Sequence, residues 1–215
     1  MYLSRVFLDG QNRETMRLMA SPELMHGAVE GCFPEGRQRR LWRLDRLDNR
    51  YCLLIVSPVE PDCAVLAARY GFPGAEPAWQ TKPYLPLLKR LKQGQTWHFR
   101  LRANPVRSVK EEGRNRGKVM AHVTIQQQKD WLIKRAGDCG FALEENAFEV
   151  VHTQWMRFHK RQGHLITLRT AVYEGYLSIV DKEVFVQTLL EGVGRAKAYG
   201  CGLMTLAPLR GNQDA

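Results

Sequence analysis

Six histidines supply the only side chains that change charge near neutral pH: His26, His98, His122, His152, His159 and His164. With an unperturbed pKa of about 6.5, imidazole can both take and give a proton at working pH. His26 is the one placed best for that work. It follows Ser21-Pro22-Glu23, a serine N-cap, a proline at the first helical position and an acid in the first turn, which together open a helix. Met25, Ala28, Val29 and Cys32 recur at spacings of three or four and form the buried stripe of that helix. His26 lies about 100° round from Met25, at the edge of the stripe, where it can face a ligand. A lone histidine is nevertheless more often an idle surface residue than a catalyst. No two histidines have metal-ligand spacing with a carboxylate partner, and His159 and His164 sit across a turn rather than on a helix face. The five cysteines (Cys32, Cys52, Cys63, Cys139, Cys201) are odd in number and never form a CxxC pair. That pattern argues against a disulfide framework and against zinc, so a reduced cytoplasmic protein without metal or other cofactor is expected.

Charge supplies the second signal. Thirty-two Lys and Arg against 22 Asp and Glu give +10, which favours a polyanion, nucleic acid above all. Three clusters carry much of the excess: Arg37, Arg39 and Arg40; Arg107, Lys110, Arg114, Arg116 and Lys118; and Arg157, His159, Lys160 and Arg161 with His164 nearby. Any one of them is more often solvated surface than contact. A fourth candidate is the stretch Gly192-Val193-Gly194-Arg195-Ala196-Lys197-Ala198-Tyr199-Gly200-Cys201-Gly202-Leu203. It follows a helix and precedes a strand, the reverse of a dinucleotide-binding GxGxxG, and it lacks the GK[ST] of a P-loop. Gly192, Gly194, Gly200 and Gly202 either let the backbone approach a phosphate beside Arg195 and Lys197, or serve only a tight connection. No apolar run reaches the length of a membrane span, and no membrane partner is expected.

The elements that must position these residues repeat. Tyr2 to Leu8 reads as a strand, followed by helical residues through Ala20 and then the Ser21 helix. Leu41 to Leu44 and Cys52 to Ser57 read as strands joined by Asp48-Asn49-Arg50, and Pro61-Asp62 opens a helix to about Tyr70. Phe72 to Pro86 holds a last short strand and a connector. In the second half, Thr96 to Arg102 alternates Trp97, Phe99 and Leu101 with His98, Arg100 and Arg102, so one face is apolar and the other basic. Thr124 to Gln127 fits a capping box for a helix to about Ala136. Phe148 to Lys160 and His164 to Tyr173 make a hairpin around Arg161-Gln162-Gly163, and Tyr176 to Val180 extends the sheet. Asp181 caps a helix ended by Gly192, and Leu203 to Ala207 is the final strand. Each half is β-α-β-β-α-β, which predicts an α+β protein of two tandem ferredoxin-like (RRM-like) domains, residues 1–94 and 95–215.

The glycine-rich stretch resembles the C-terminal signature of the repeat-associated RNA-processing superfamily. Joined to Met1-Tyr2-Leu3-Ser4, to Phe99-Arg100-Leu101-Arg102-Ala103-Asn104-Pro105, and to Leu206-Ala207-Pro208-Leu209, it resembles the CasE-type CRISPR RNA endoribonucleases of the subtype I-E Cascade complex. The resemblance spans nearly the whole chain. It implies two ferredoxin-like domains, metal-free cleavage of the precursor repeat on the 3′ side of a stem-loop, and retention of the product hairpin with other Cascade subunits as partners. It also implies that His26 is catalytic, and that a basic hairpin, here Arg157, His159, Lys160 and Arg161, enters the RNA major groove. In such a reaction the ribose 2′-hydroxyl attacks its own phosphorus, leaving a 2′,3′-cyclic phosphate and a 5′-hydroxyl. One departure stands out: family members commonly carry a tyrosine three residues before the histidine, and here Glu23 replaces it. Glu23 either orients His26 and raises its pKa towards a general-acid role, or is a helix-start acid facing solvent. It leaves open a second reading, a subunit that binds the hairpin without cutting it.

Overall fold

The structure is a computed structural model that describes residues 1–34, 36, 38–47, 50–110, 117–159 and 163–209. Two antiparallel sheets stand side by side. The first contains β1 (Tyr2–Leu8), β2 (Leu41–Leu47), β3 (Arg50–Ser57) and β4 (Trp79–Pro83) in the order β2-β3-β1-β4. Strand alternation sends Ser4, Val6 and Leu8 to one face, where α1 (Arg13–Ala20), α2 (Pro22–Glu30) and α3 (Ala64–Tyr70) cover them. Val6, Leu8, Leu18, Met25, Val29, Leu53, Ile55 and Leu66 fill that layer. Asn12 caps α1 and Ser21 caps α2, each through a side-chain oxygen that accepts backbone N–H groups. The third helix begins at Ala64 rather than at Pro61-Asp62, because Asp62 turns its carboxylate onto the Ala64 N–H and delays the first helical turn.

A short α4 (Leu85–Arg90), unforeseen in the sequence, leads to the second sheet. There β5 (Thr96–Ala103) lies between β11 (Met204–Ala207) and β10 (Leu165–Ile179), and β10 also pairs with β8 (Phe141–Ala142) and β9 (Phe148–His159). The helices α5 (Ile125–Ala136) and α6 (Lys182–Glu191) pack on one face, with the capping box of Thr124 and Gln127 formed. The α+β class and the two ferredoxin-like units agree with the sequence reading. Two details differ. The basic loop near Arg107 and Lys118 is bracketed by a two-stranded ribbon, β6 (Val106–Val109) and β7 (Lys118–Ala121). Tyr173 to Tyr176 does not break the sheet: a bulge at Val172/Tyr173 keeps β10 continuous. Gly175 passes so close to Ala147 that an added Cβ would lie 2.2 Å from its carbonyl oxygen.

The sheets meet where β2 faces β5 and β11. Leu41 and Val56 enter the same core cluster as Phe99, Leu101, Leu203 and Met204. Beside them Arg43, 1% exposed, uses all five guanidinium N–H groups. Nε and Nη2 donate to Asp45 at 2.9 and 2.6 Å, Nη1 to the carbonyls of Arg100 (2.6 Å) and Leu203 (2.9 Å), and Nη2 also to Thr205 Oγ1 at 2.7 Å. Arg100 approaches Asp45 at 3.4 Å and pairs with Glu174, which in turn meets His98. Of the basic face foreseen on β5, His98 and Arg100 are thus engaged by Glu174 of neighbouring β10 and, for Arg100, by Asp45 of the first sheet. Replacing Arg43 by Met should lower the unfolding free energy by about 3–5 kcal/mol in urea titration, since buried acceptors and Asp45 lose their partner. A loss below 1 kcal/mol would show that the network does not hold the sheets together.

Candidate RNA-cleavage site

Helix α2 sets the site. Ser21 Oγ accepts the Leu24 N–H at 3.3 Å, Pro22 occupies the first turn, and Met25 and Val29 are buried against the sheet. His26 is turned away from that stripe and half-buried. Its Nδ1 is enclosed and has no hydrogen-bond partner among the described residues, which leaves Nε2 as the nitrogen for proton work. Among the described residues no carboxylate holds the ring; Glu23, in the first turn, forms no hydrogen bond or ion pair with it. The orienting role for Glu23 therefore has no contact behind it in this structure.

A groove of about 650 Å³ runs between the two units and reaches α2 at Pro22 and Met25, the latter next to His26 in the chain. Trp42, Asp45 and Arg46 form one wall, Arg100 and Arg102 the floor, and His152, Trp155, Arg157 and Phe158 of β9 the other wall. With Asp45 taken up by Arg43, the free charge of the groove is positive. Arg102 and Arg157, both candidates from the sequence, line this groove, and Arg102 is steadied by a contact from Nη2 to Met156 Sδ at 2.9 Å. His159 is exposed at the end of β9.

The glycine-rich stretch packs against α2 and β2 through the turn Lys197–Tyr199. Gly200, at φ 75°, lies so near Trp42 that a Cβ would fall 2.5 Å from the indole, and a Cβ on Gly192 would meet Leu41 at 2.8 Å. Gly194 crosses Trp131 and Gly202 donates its N–H to the Arg102 carbonyl at 2.7 Å. These glycines allow close approach to protein, which is the structural alternative weighed from the sequence. The stretch still brings charge to α2: burial and neighbouring Arg39 hold the Lys197 ammonium below its usual range, while Glu191 opposes them. Tyr199 stacks edge-on against Phe158 at 4.8 Å, tying the stretch to β9.

The remaining cations divide. Arg40, expected at the surface, is 7% exposed, pairs with Glu30 and lies 4.1 Å from the Phe33 ring, so it braces α2. Arg39 is exposed and 3.7 Å from Glu191. Arg107 and Arg195 line a separate basic pocket with Lys134 and Arg135, apart from the inter-sheet groove. Burial and the nearby Arg107 and Lys134 hold the His122 imidazole there below its usual value. Lys110 is exposed beyond β6. Arg37, Arg114, Arg116, Lys160 and Arg161, with the Asp48-Asn49 and Arg161-Gln162 turn residues, lie outside the described residues. Missed from the sequence were Arg46, His152 and Trp155. The last is 49% exposed in the groove, and strand alternation alone cannot tell such a tryptophan from a core residue.

A family profile described as "CRISPR associated protein" matches residues 1–208. The chain belongs to this CRISPR-associated family. Within it, the chain is 32% identical over 223 residues to the CRISPR-associated endoribonuclease Cse3 of Thermus thermophilus, covering 97% of this chain and 100% of that protein. It is 31% identical over 126 residues to the Cascade subunit CasE of Escherichia coli, covering 56% and 62% of the two chains. The structure of Thermus thermophilus Cse3 bound to an RNA representing a pre-cleavage complex superimposes with a TM-score of 0.75 at 31% identity, covering 96% of this chain and 98% of that one. Among the described residues no helix is long and apolar enough to cross a membrane.

Gly200→Ala should lower stability by about 2–4 kcal/mol, combining a left-handed alanine with overlap on Trp42. Chemical denaturation measures it; a change under 0.5 kcal/mol would mean that the stretch is not pressed onto β2 as described.

Proposed function

We propose that this protein is an endoribonuclease that processes CRISPR precursor RNA within the cytoplasm, cutting the repeat at the 3′ base of its stem-loop and holding the product hairpin for other Cascade subunits. The observation that carries this reading is His26, half-buried on a helix whose Pro22 and Met25 line a cationic groove, in a chain alike over 96% of its length to an endoribonuclease seen in a pre-cleavage RNA complex. The catalytic part is taken to lie in residues 1–94 and the hairpin-gripping part in 95–215.

RNA carries its own nucleophile, so the protein has to align and to move protons. The scissile phosphate lies beside α2, with the stem against β9 and Arg102, Arg157 and, at the mouth, His159. A-form major grooves are deep and narrow, so these side chains meet phosphate and shape more than base edges. The 2′-hydroxyl attacks in line; one proton leaves it, one reaches the departing 5′-oxygen, and His26 Nε2 makes one of these transfers. Arg39 and Lys197, near α2, offset charge as the phosphorane forms. No step calls for a metal. Glu23, where the family commonly has tyrosine, cannot donate a phenolic hydrogen bond and forms no hydrogen bond or ion pair among the described residues. That favours one further reading, a subunit that grips the hairpin without cutting it.

Incubating labelled repeat RNA in EDTA separates the two readings. The nuclease yields a 2′,3′-cyclic phosphate end, whereas the gripping subunit returns intact RNA. His26→Ala should reduce cleavage about 10²- to 10⁴-fold with hairpin affinity unchanged; equal loss of binding and cutting would remove His26 from the chemistry. If Arg39, Arg46, Arg102, Arg157, Arg195 and Lys197 all meet phosphates, log K against log salt should slope at roughly −5. A slope near −1 would show that the cationic surfaces are not the RNA track.

A further inference from the structure

The outer face of the first sheet, opposite the helices, is only half covered. The pairing register lays it out in rows: Leu41, Val56, Leu3 and Lys82; then Arg43, Leu54, Arg5 and Gln80; then Asp45, Cys52 and Phe7. The second sheet covers the Leu41, Arg43 and Asp45 side. The β1 and β4 side stays open, with a shallow cleft of about 210 Å³ among Leu3, Arg5, Leu54, Gln80 and Lys82. The bridge between Leu8 and Gly71 brings Phe72 beside Phe7, and the Phe72 N–H donates to the Phe7 carbonyl at 2.9 Å.

Two half-buried rings thus lie among three exposed cations. The Arg5 guanidinium is 5.1 Å from the Phe7 centroid, and Arg50 is 4.9 Å from Phe72 and 5.9 Å from Phe7. Arg5, Arg50 and Lys82 form no ion pair among the described residues. The one carboxylate in these rows, Asp45, is buried against Arg43. Nothing in the cleavage reaction uses this face.

We propose that this open sheet face binds a single-stranded stretch of the RNA substrate outside the hairpin. Bases would stack on Phe7, Phe72 and the guanidinium planes, and phosphates would meet Arg5, Arg50 and Lys82. Flat rings interleaved with unpaired cations suit unstacked nucleotides, which present both a π-face and a phosphate at each step. A duplex keeps its bases stacked inside and gains nothing from the rings. An acidic protein surface would match the charge but leaves the paired aromatics without a purpose. The proposal rests on the RNA-processing reading above, because that reading supplies a substrate that continues past its hairpin.

The test compares a trimmed repeat hairpin with the same hairpin carrying a single-stranded extension of about twelve nucleotides on either side. Affinity and cleavage are measured for the wild-type chain, for Arg5→Ser/Arg50→Ser/Lys82→Ser, and for Phe72→Ala. In the wild type one extension should tighten binding about tenfold and steepen the salt slope by about 2. Both variants should lose that gain while keeping their Tm and cutting the trimmed hairpin at the wild-type rate. No gain from either extension, or a gain that survives in the variants, would overturn the proposal. So would variants that lose only their association with purified Cascade proteins, since the face would then dock protein. A wild-type chain that neither binds nor cuts the trimmed hairpin would overturn the RNA-processing reading and this proposal with it.

Discussion

A single buried guanidinium fixes how the two sheets meet. Desolvating an arginine is expensive unless each N–H finds an acceptor, and Arg43 finds all of them: Asp45 on its own strand, then two carbonyls and a hydroxyl of the second sheet. Apolar contacts from Leu41 and Val56 supply attraction without direction. The directional bonds choose one register between β2 and the pair β5 and β11. The charge chain continues through Arg100 to Glu174 and His98, so the arrangement reaches well into the second sheet.

The groove follows from that register. Its two walls belong to different sheets, so its width is whatever the junction dictates. Helix α2 is held from several directions: by its own buried stripe, by Glu30 on Arg40, and by the turn at Lys197–Tyr199. Glycines there let the main chain lie directly on Trp42 and Leu41, and Tyr199 carries the contact across to β9. The histidine is placed by the packing of its helix, and no carboxylate among the described residues steers it. Catalysis of the proposed kind then relies on alignment and charge more than on a tuned acid–base pair.

Much of this was legible beforehand because it depends on local rules. The Ser21-Pro22 start, the Thr124/Gln127 capping box, the Asp181 cap and the alternation of Thr96 to Arg102 each act within a few residues, and each formed. What escaped depends on contacts distant in the chain. Arg43 and Asp45 look like ordinary polar positions of a short strand until β11 arrives beside them. Arg40 looked like a surface cation because nothing near it in sequence announces that Glu30 and Phe33 will enclose it. The glycine-rich stretch drew notice for its phosphate-binding potential, while the structure shows indole and leucine side chains against it. Gly175, in the gap between the two stretches read as strands, is a site of close strand contact within one continuous strand.

The central claim is that the ribose itself supplies the nucleophile and the protein needs only to align it and shuttle protons. Replacing the 2′-hydroxyl next to the scissile phosphate by hydrogen tests this most directly. Such a hairpin should bind with the affinity of the all-ribose RNA and remain uncut over times in which that RNA is fully cleaved. Cleavage of the deoxy-substituted hairpin at a comparable rate would mean that water attacks the phosphorus, and the account built on His26 and an internal nucleophile would fail.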